Sequence, residues 1–235
     1  MLRKQDIHPI QGEILKSLLF VPEARFSELN IQNIGTDHFT FHIKRLIDLG
    51  LIEKNEEGLY RLTITGKEFA NRFDVDGRDV AIEKQAKISV LIACVTGKGE
   101  NAKYLVYQRL KQPYYGMHGF MTGKIKWGET IFEAACRELN EETNLEADLS
   151  LAAVKHKMEY AEDGKLLEDK YFYLIRGENP RGELLTDFKG GKNMWLTEKG
   201  ILELPDLFDD VRETLNILKQ GKFIFSERKW IVSKY

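Results

Sequence analysis

The chain has 235 residues, of which 43% are hydrophobic and 31% charged, a balance typical of a folded globular protein rather than a disordered one. Its 35 Lys and Arg against 37 Asp and Glu give a formal charge of −2, which argues against nucleic-acid binding through bulk charge. No apolar run reaches the ~20 residues of a membrane helix. The start lacks the apolar core of a signal peptide, and two cysteines are too few for a disulfide framework. We therefore expect a cytoplasmic protein with no membrane partner.

The first 72 residues predict a compact helical unit with a hairpin near its end. Helical spacing of apolar residues, capping residues and one turn containing Gly58 define its elements. The predicted elements are, in order, a helix from Pro9, a short helix capped by Ser27 and running through Asn30, a third helix capped by Thr36 or Asp37 and stopped by Gly50, strands 51–54 and 59–62, and a short helix from Thr63. The polar stretch Asp74–Asp79 is the predicted linker, so we expect domains over residues 1–80 and 81–235.

Beyond the linker the pattern changes to strands with one prominent helix. The predicted elements are strands 87–95 and 103–108, a helix Thr130–Thr143, strands near 149–160 and 167–176, and a last helix from about Leu207 to Lys219. Cys136 within the prominent helix is interpreted as a small packed residue, and Tyr171 or Tyr173 as core aromatics.

The prominent helix carries three carboxylates on one face. Glu138, Glu141 and Glu142 stand at i, i+3 and i+4, so their side chains are neighbours. Such carboxylates repel one another, and a hard divalent cation with oxygen ligands offsets that repulsion. Arg137 adjoins Glu138, and Glu129 lies one loop earlier, which favours an orienting ion pair. For the three carboxylates alone, a solvated acidic helix face is an equally good interpretation.

This segment resembles the Nudix box, G-x5-E-x7-R-E-U-x-E-E-x-G-U, in which U is an aliphatic residue. One position departs: Asn144 stands where the box has its second glycine, and Asn tolerates the left-handed conformation needed there. The matching residues are Gly123, Glu129, Arg137, Glu138, Leu139, Glu141, Glu142 and Leu145. A match of this length is highly specific.

The resemblance implies an α/β (α+β) fold: an α/β/α sandwich in which helices enclose a mixed sheet. The implied activity is Mg²⁺- or Mn²⁺-dependent hydrolysis of a nucleoside diphosphate linked to another group, X. Carried over by position, the implied metal ligands are Glu138, Glu141, Glu142 and the backbone carbonyl of Gly123, with Arg137 and Glu129 holding the carboxylates in place. A metal would neutralise the phosphates and acidify the attacking water.

Several residues outside the box are candidates for substrate contacts. Arg109 and Lys124 are predicted to hold phosphates, as Lys111 and Lys126 could, and Tyr115 could stack on a base. The general base stays open, and the candidates are Glu138, Glu162, Asp163 and Glu198.

The first unit looks like a winged helix-turn-helix domain of the kind found in ArsR- and MarR-type regulators. The likeness covers residues 9–71 and includes a Y-x-L-T-x-x-G pattern at Tyr60–Gly66. It implies that the third helix, Asp37–Leu49, enters the major groove of duplex DNA, within a homodimer. The polar residues that could contact DNA are Thr40, His42, Lys44 and Arg45; His38 and His42 are otherwise placed on the helix surface.

Charge complicates the DNA-binding interpretation. Residues 1–80 hold eleven Lys and Arg against thirteen Asp and Glu, a net −2, and the wing tip carries Glu56 and Glu57. A protein-interaction module is therefore the alternative for this unit. For the whole chain, the first hypothesis is a Nudix hydrolase with an appended winged helix, and the second is a transcription regulator whose Nudix-like domain senses a nucleotide ligand. The complete set of box carboxylates favours retained hydrolysis.

Overall fold

The computed structural model describes residues 7–73 and 84–232, which form two compact units, Met1–Lys84 and Gln85–Tyr235. We refer to them as the N-terminal unit and the C-terminal unit. The predicted linker Asp74–Asp79 and the predicted boundary after residue 80 lie outside the described residues. Within the described ranges, no helix is both long enough and apolar enough to cross a membrane.

Over residues 7–73, the N-terminal unit combines four helices with a two-stranded antiparallel sheet. Pro9 occupies the first turn of the first helix, and the Thr63 side chain accepts a hydrogen bond from the Gly66 amide at the start of the last. The second helix begins at Phe26, with Arg25 rather than the predicted Ser27 as its N-cap residue. The elements are α1 (Pro9–Leu19), α2 (Phe26–Leu29), α3 (Thr36–Asp48), β1 (Ile52–Lys54), β2 (Tyr60–Leu62) and α4 (Ile64–Ala70).

His42 on α3 is buried, so its placement on the helix surface and its proposed DNA contact are both wrong. The side chain is 2% exposed because residue 42 follows Phe39 by three and precedes Leu46 by four, which puts all three on the core face. Its Nε2 lies 3.1 Å from Nε2 of His38. Burial lowers the pKa of His42, and the neighbouring His8 and His38 lower it further.

The other three predicted DNA contacts lie on the solvent side of α3. Lys44 and Arg45 are exposed, and Thr40 is half-buried. The same side carries Phe41, whose side chain is 62% exposed. This face of α3 therefore offers two cations, one hydroxyl and one large aromatic ring to a partner.

Gly66→Ala is expected to destabilise the N-terminal unit by about 3 kcal/mol. A Cβ at this position would lie 1.8 Å from the Leu51 carbonyl oxygen, so α4 could no longer pack against the start of the hairpin. Urea denaturation of the full chain measures the effect. Gly35→Ala is the control, since nothing lies within 4 Å of its added Cβ. Equal stability of the two variants would contradict this packing.

The C-terminal unit, as described through residue 232, is built on a nine-stranded sheet. Its elements are β3 (Lys87–Thr96), β4 (Lys103–Arg109), β5 (His118–Gly119), β6 (Met121–Lys124), α5 (Ile131–Thr143), β7 (Glu146–Tyr160), β8 (Leu166–Arg181), β9 (Asp187–Phe188), β10 (Gly191–Thr197), α6 (Glu198–Leu202), α7 (Val211–Gln220) and β11 (Ile224–Ile231). The main strand order is β11-β7-β8-β3-β4-β10-β9, with β5 paired to β4 and β6 to β3. The β3–β8 and β7–β11 pairs are parallel and the others antiparallel, which confirms the predicted mixed sheet.

Alternate residues of β3 pack into two separate hydrophobic cores. Val90, Ile92 and Cys94 face the core that contains α5. Leu91, Ala93 and Val95 face the core that contains α6 and α7. The sheet is thereby enclosed by helices on both faces. α7 begins at Val211 rather than at the predicted Leu207, because Leu207 pairs with His118 in an isolated β-bridge.

Candidate active site

Helix α5 carries the three clustered carboxylates and has well-defined ends. Thr130 and Glu133 form a capping box at its start, in which the Thr130 amide donates to Glu133 Oε2 at 2.8 Å. Asn144 ends the helix at a φ of 57°, the left-handed conformation expected of the residue that replaces the box glycine. Cys136 is exposed on this helix, so its prediction as a packed residue is wrong.

Arg137, in the middle of α5, connects this helix to the loop before it. Its Nε and Nη2 donate to the two Glu129 carboxylate oxygens at 2.6 and 2.9 Å. Nη2 also donates to the Lys124 carbonyl at 3.0 Å, and Nη1 donates to Glu138 at 2.6 Å. The hydrogen bond from Arg137, aided by the Lys126 amide, lowers the pKa of Glu129 to about 2. Arg137 and Glu129 therefore hold Glu138 and β6 in a fixed relation.

Gly123 on β6 packs directly against Glu138. A Cβ at this position would lie 2.0 Å from Glu138 Cγ and 2.1 Å from Cδ, so only glycine fits without moving that carboxylate. β6 pairs with β3 at Val90, which fixes the backbone of Gly123 relative to the sheet. The box glycine and the first carboxylate of α5 therefore occupy one tightly packed position.

The other two carboxylates of α5 differ in their surroundings. Glu141 is 57% exposed at its side chain and lies 3.4 Å from Arg137 Nη1. Glu142 is partly buried, and burial, followed by the charge on Glu138, raises the pKa of Glu142 to about 7. A bound cation would favour the ionised form of Glu142, which burial and the Glu138 charge disfavour.

The donor chemistry of this site fits a divalent cation such as Mg²⁺, which prefers carboxylate and carbonyl oxygens. In the described part of the chain, no three Asp, Glu, His or Cys side chains converge on one point as metal ligands. Arg137 instead contacts both Glu138 and Glu141. The residue types and their positions in the sequence therefore fit a metal site. In the structure, the side chains of Glu138 and Glu141 are arranged around Arg137.

A cleft of about 1100 Å³ opens beside the carboxylates and contains most of the predicted substrate residues. Glu138, Glu142, Arg109 and Lys124 line it. Lys111 and Lys126 line it as well. Cations and carboxylates therefore face the same space, which is the arrangement that binding of a metal and a diphosphate requires.

Two features of Arg109 and Tyr115 refine the predicted contacts. Arg109 donates from Nε to the Pro113 carbonyl at 2.6 Å, which holds the loop after β4 against the cleft. Tyr115 on that loop is 53% exposed and is not among the residues that line the cleft, so its role as a base-stacking residue stays a prediction. Its neighbour Tyr114 lines the cleft instead and packs edge-on against Phe208.

Of the four candidate general bases, Glu138 lines the cleft. Glu162 and Asp163 lie on the exposed β7–β8 turn, where Asp163 accepts from the Lys165 amide. Glu198 forms an ion pair with Lys219 at 2.6 Å. None of these last three is among the cleft-lining residues.

A charged network that is largely buried, and that was not predicted from the sequence, lies at the other end of the cleft. Lys157 contacts Glu159 at 2.7 Å and Asp210 at 3.2 Å. Glu168 pairs with Lys87 at 2.6 Å and Lys170 at 3.5 Å, and all six side chains line the cleft. Burial alone would raise the pKa of Asp210, but the charges on Lys155 and Lys157 outweigh it and hold that pKa below its usual range.

Asp210→Asn is expected to lower the unfolding free energy of the C-terminal unit by about 3 kcal/mol, because it leaves Lys155 and Lys157 buried beside a neutral amide. Urea denaturation measures the loss. Asp187→Asn removes an exposed pair to Lys192 and serves as the control, with an expected change within about 0.5 kcal/mol. Equal effects would show that Asp210 does not hold this network together.

The comparisons with known proteins agree with the geometry of the box. A model of the NUDIX domain family matches residues 86–215. The chain belongs to the NUDIX domain family. With every carboxylate of the Nudix box present, the C-terminal unit is a Nudix-type pyrophosphohydrolase. Enzymes of this family generally use divalent metal ions such as Mg²⁺.

Solved structures share the Nudix fold of the C-terminal unit at low sequence identity. A mutator MutT protein from Bacillus halodurans aligns over 63% of this chain and 93% of its own, with a TM-score of 0.53 and 20% identity. The NUDIX domain of Shewanella oneidensis NrtR, solved with ADP ribose, aligns over 68% of this chain and 98% of its own, with a TM-score of 0.52 and 16% identity. No curated protein matches the chain. These likenesses establish the fold alone.

Proposed function

We propose that the C-terminal unit hydrolyses the diphosphate bond of a nucleoside diphosphate linked to a further group, X, with Mg²⁺ or Mn²⁺ as the cofactor. The observation that carries this proposal is the packing of Glu138 between Gly123 and Arg137 at the wall of a cleft lined by cations. Glu138, Glu141, Glu142 and the Gly123 carbonyl would hold the metal.

Each residue of the site has a role that follows from its contacts. The bound metal would neutralise phosphate charge and make a water more acidic. Arg137 and Glu129 orient Glu138, which is the cleft-lining candidate for the general base. Arg109 and Lys124 face the same space and hold the phosphate oxygens, since cations favour the diphosphate over a neutral ligand.

The charged network of Lys87, Lys157, Glu159, Glu168, Lys170 and Asp210, of which Lys87 is exposed, faces X or the nucleoside. These side chains stand in the same cleft as the α5 carboxylates, so a substrate that spans the cleft meets both ends. The ADP ribose bound by the NrtR NUDIX domain is a nucleoside diphosphate joined to a sugar, and it supports this substrate class.

A panel of nucleoside diphosphate compounds tests the proposal. Nucleotide sugars, dinucleotides and nucleoside triphosphates are incubated with Mg²⁺ or Mn²⁺, and the phosphate-bearing products are separated by chromatography. We expect turnover of at least one compound in which a nucleoside diphosphate carries X. Turnover of triphosphates alone would restrict X to a phosphate group, and no turnover of any compound would contradict the proposal.

We further propose, as a second function, that the N-terminal unit binds duplex DNA as part of a dimer and that the nucleotide ligand regulates this binding. The supporting observation is the exposure of Lys44 and Arg45 together on α3, in a unit with a helical core and a β1–β2 hairpin. The net acidic charge of residues 1–80 means that specific contacts from two half-sites must supply the affinity.

Selection from a random duplex library at low salt, with and without nucleotide ligands, is expected to enrich a palindrome with half-sites about one helical turn apart. Lys44→Ala combined with Arg45→Ala should abolish the enrichment. Lys67→Ala combined with Arg72→Ala changes the charge equally outside α3 and should preserve it. An unenriched library under every condition would leave the N-terminal unit as a protein-interaction module.

A further inference from the structure

Strand β11 forms one end of the sheet and exposes a mixed apolar and charged face. It pairs in parallel with β7 along its whole length, and no other strand of the described ranges pairs with its outer edge. Phe225 and Ile231 are 60% and 75% exposed, and Glu227 and Lys229 are exposed between them. These four residues alternate along the strand and share one face.

An open edge of this kind pairs readily with another strand, and natural proteins cover or disrupt such edges. A second copy of β11 is the simplest partner. In an antiparallel pair of identical strands the two-fold axis runs through a pair of equivalent residues, because residues that oppose each other share a face. Each possible dimer is therefore defined by the residue that opposes itself.

We propose that two copies of the chain form a dimer by antiparallel pairing of their β11 edges, centred on Arg228. This register sets Glu227 opposite Lys229 of the second copy, and Phe225 opposite Ile231, each pair occurring twice. All four exposed residues of the outward face thereby gain a complementary neighbour. The result is one continuous sheet across both C-terminal units, and it goes beyond the hydrolase activity.

Pairing centred on Arg228 also avoids placing like charges opposite each other without a partner. Two Arg228 side chains oppose each other on the other face, but each donates from Nε to Glu213 of its own chain at 2.6 Å. Centring on Glu227 would oppose two carboxylates and set Phe225 against Lys229. Centring on Lys229 would oppose two ammonium groups and set Glu227 against Ile231. Like charges directly opposite are destabilising, so Arg228 is the favoured centre.

Side-chain contacts hold β11 firmly enough to act as a template. Glu227 contacts Nδ1 of His156 on β7 at 2.6 Å. Ser226 donates to Glu213 on α7 at 2.7 Å. The strand is thus fixed to the sheet on one face and to α7 on the other, so pairing costs little further ordering of the chain.

Sedimentation velocity of the full chain tests the proposal through paired charge reversals. The wild type is expected to be a dimer, and Lys229→Glu and Glu227→Lys alone should each raise the dissociation constant at least about tenfold. An equimolar mixture of the two variants should restore dimers, because every opposing pair is then complementary. Lys98→Glu, the same charge change on an exposed loop, is the control and should leave the dimer intact.

A cross-linking experiment tests the register without relying on charge. Phe225→Cys combined with Ile231→Cys should form a disulfide-linked dimer under mild oxidation, since the two positions lie about 20 Å apart within one strand and cannot join internally. Phe225→Cys combined with Lys229→Cys reports the register centred on Glu227 and should not cross-link. A monomeric wild type, a dimer insensitive to both charge reversals, or cross-linking of the second pair alone would each overturn the proposal.

Discussion

Glu142→Gln is expected to lower kcat/KM for diphosphate hydrolysis by at least about 10³-fold. The substitution keeps the shape of the side chain and removes the negative charge from a carboxylate that lines the cleft beside Glu138. A neutral amide is a weaker ligand for a hard cation, so transition-state stabilisation is lost together with metal affinity. Steady-state kinetics with Mg²⁺ measure the loss of transition-state stabilisation. Calorimetric titration with Mn²⁺ measures the loss of metal affinity.

The matched control is Glu133→Gln on the same helix. Glu133 accepts hydrogen bonds from Thr130 in the capping box and does not line the cleft. We expect it to cost about 1 kcal/mol of stability and to leave kcat/KM near the wild-type value. Wild-type turnover and Mn²⁺ affinity in Glu142→Gln would remove this carboxylate from the reaction.

Gly123→Ala is expected to reduce kcat about 10²-fold with little loss of folded protein, since a displacement of about 1 Å at a catalytic group costs that much. The added Cβ would overlap Glu138 Cγ and Cδ, so Glu138 must leave its position beside Arg137. The effect is on the orientation of the carboxylate rather than on its charge. Comparison of kcat and KM distinguishes this from weaker substrate binding.

Gly200→Ala provides the control for adding a methyl group at a glycine of the C-terminal unit. Its Cβ would have its nearest contact at 3.5 Å, from Thr197 Oγ1, an ordinary van der Waals distance. We expect unchanged kinetics. If Gly123→Ala also retained full activity with Glu138 in place, the close packing of these two residues would have no catalytic role.

The chemistry of α5 could be predicted from the sequence because it depends on local spacing. Three carboxylates at i, i+3 and i+4 must share a helical face, and Asn144 adopts the left-handed conformation inferred from its place in the box. The same local reasoning located Pro9 and Thr63 at helix starts. For each of these residues, the neighbours in the chain determine the local conformation.

The buried network could not be predicted because it depends on which face of β7 the rest of the fold covers. Lys155, Lys157 and Glu159 alternate with Val154 and Met158, a pattern that normally predicts apolar residues inside. In the structure the charged set is buried instead, because Asp210 at the start of α7 supplies the counter-charge. That partner lies more than fifty residues away in the sequence.

His42 was placed wrongly although the spacing along α3 indicates its position. It follows Phe39 by three residues and precedes Leu46 by four, so it shares their buried face, and its ring centroid lies 4.5 Å from that of His8. The polar residue type, rather than this spacing, led to the surface placement. The base-stacking role of Tyr115 stays a prediction, since Tyr114 lines the cleft and Tyr115 does not.

Hydrolysis of the best substrate in water labelled with heavy oxygen is the most direct test of the central claim. Mass spectrometry of the products should find two phosphate monoesters, a nucleoside monophosphate and X-phosphate, with one label in a phosphoryl group of one of them. Incorporation of the label should depend on Mg²⁺ or Mn²⁺, and it should be absent from the products of Glu142→Gln. Label in a non-phosphoryl group of X, or cleavage that persists in the presence of a chelator, would contradict metal-dependent attack at the diphosphate.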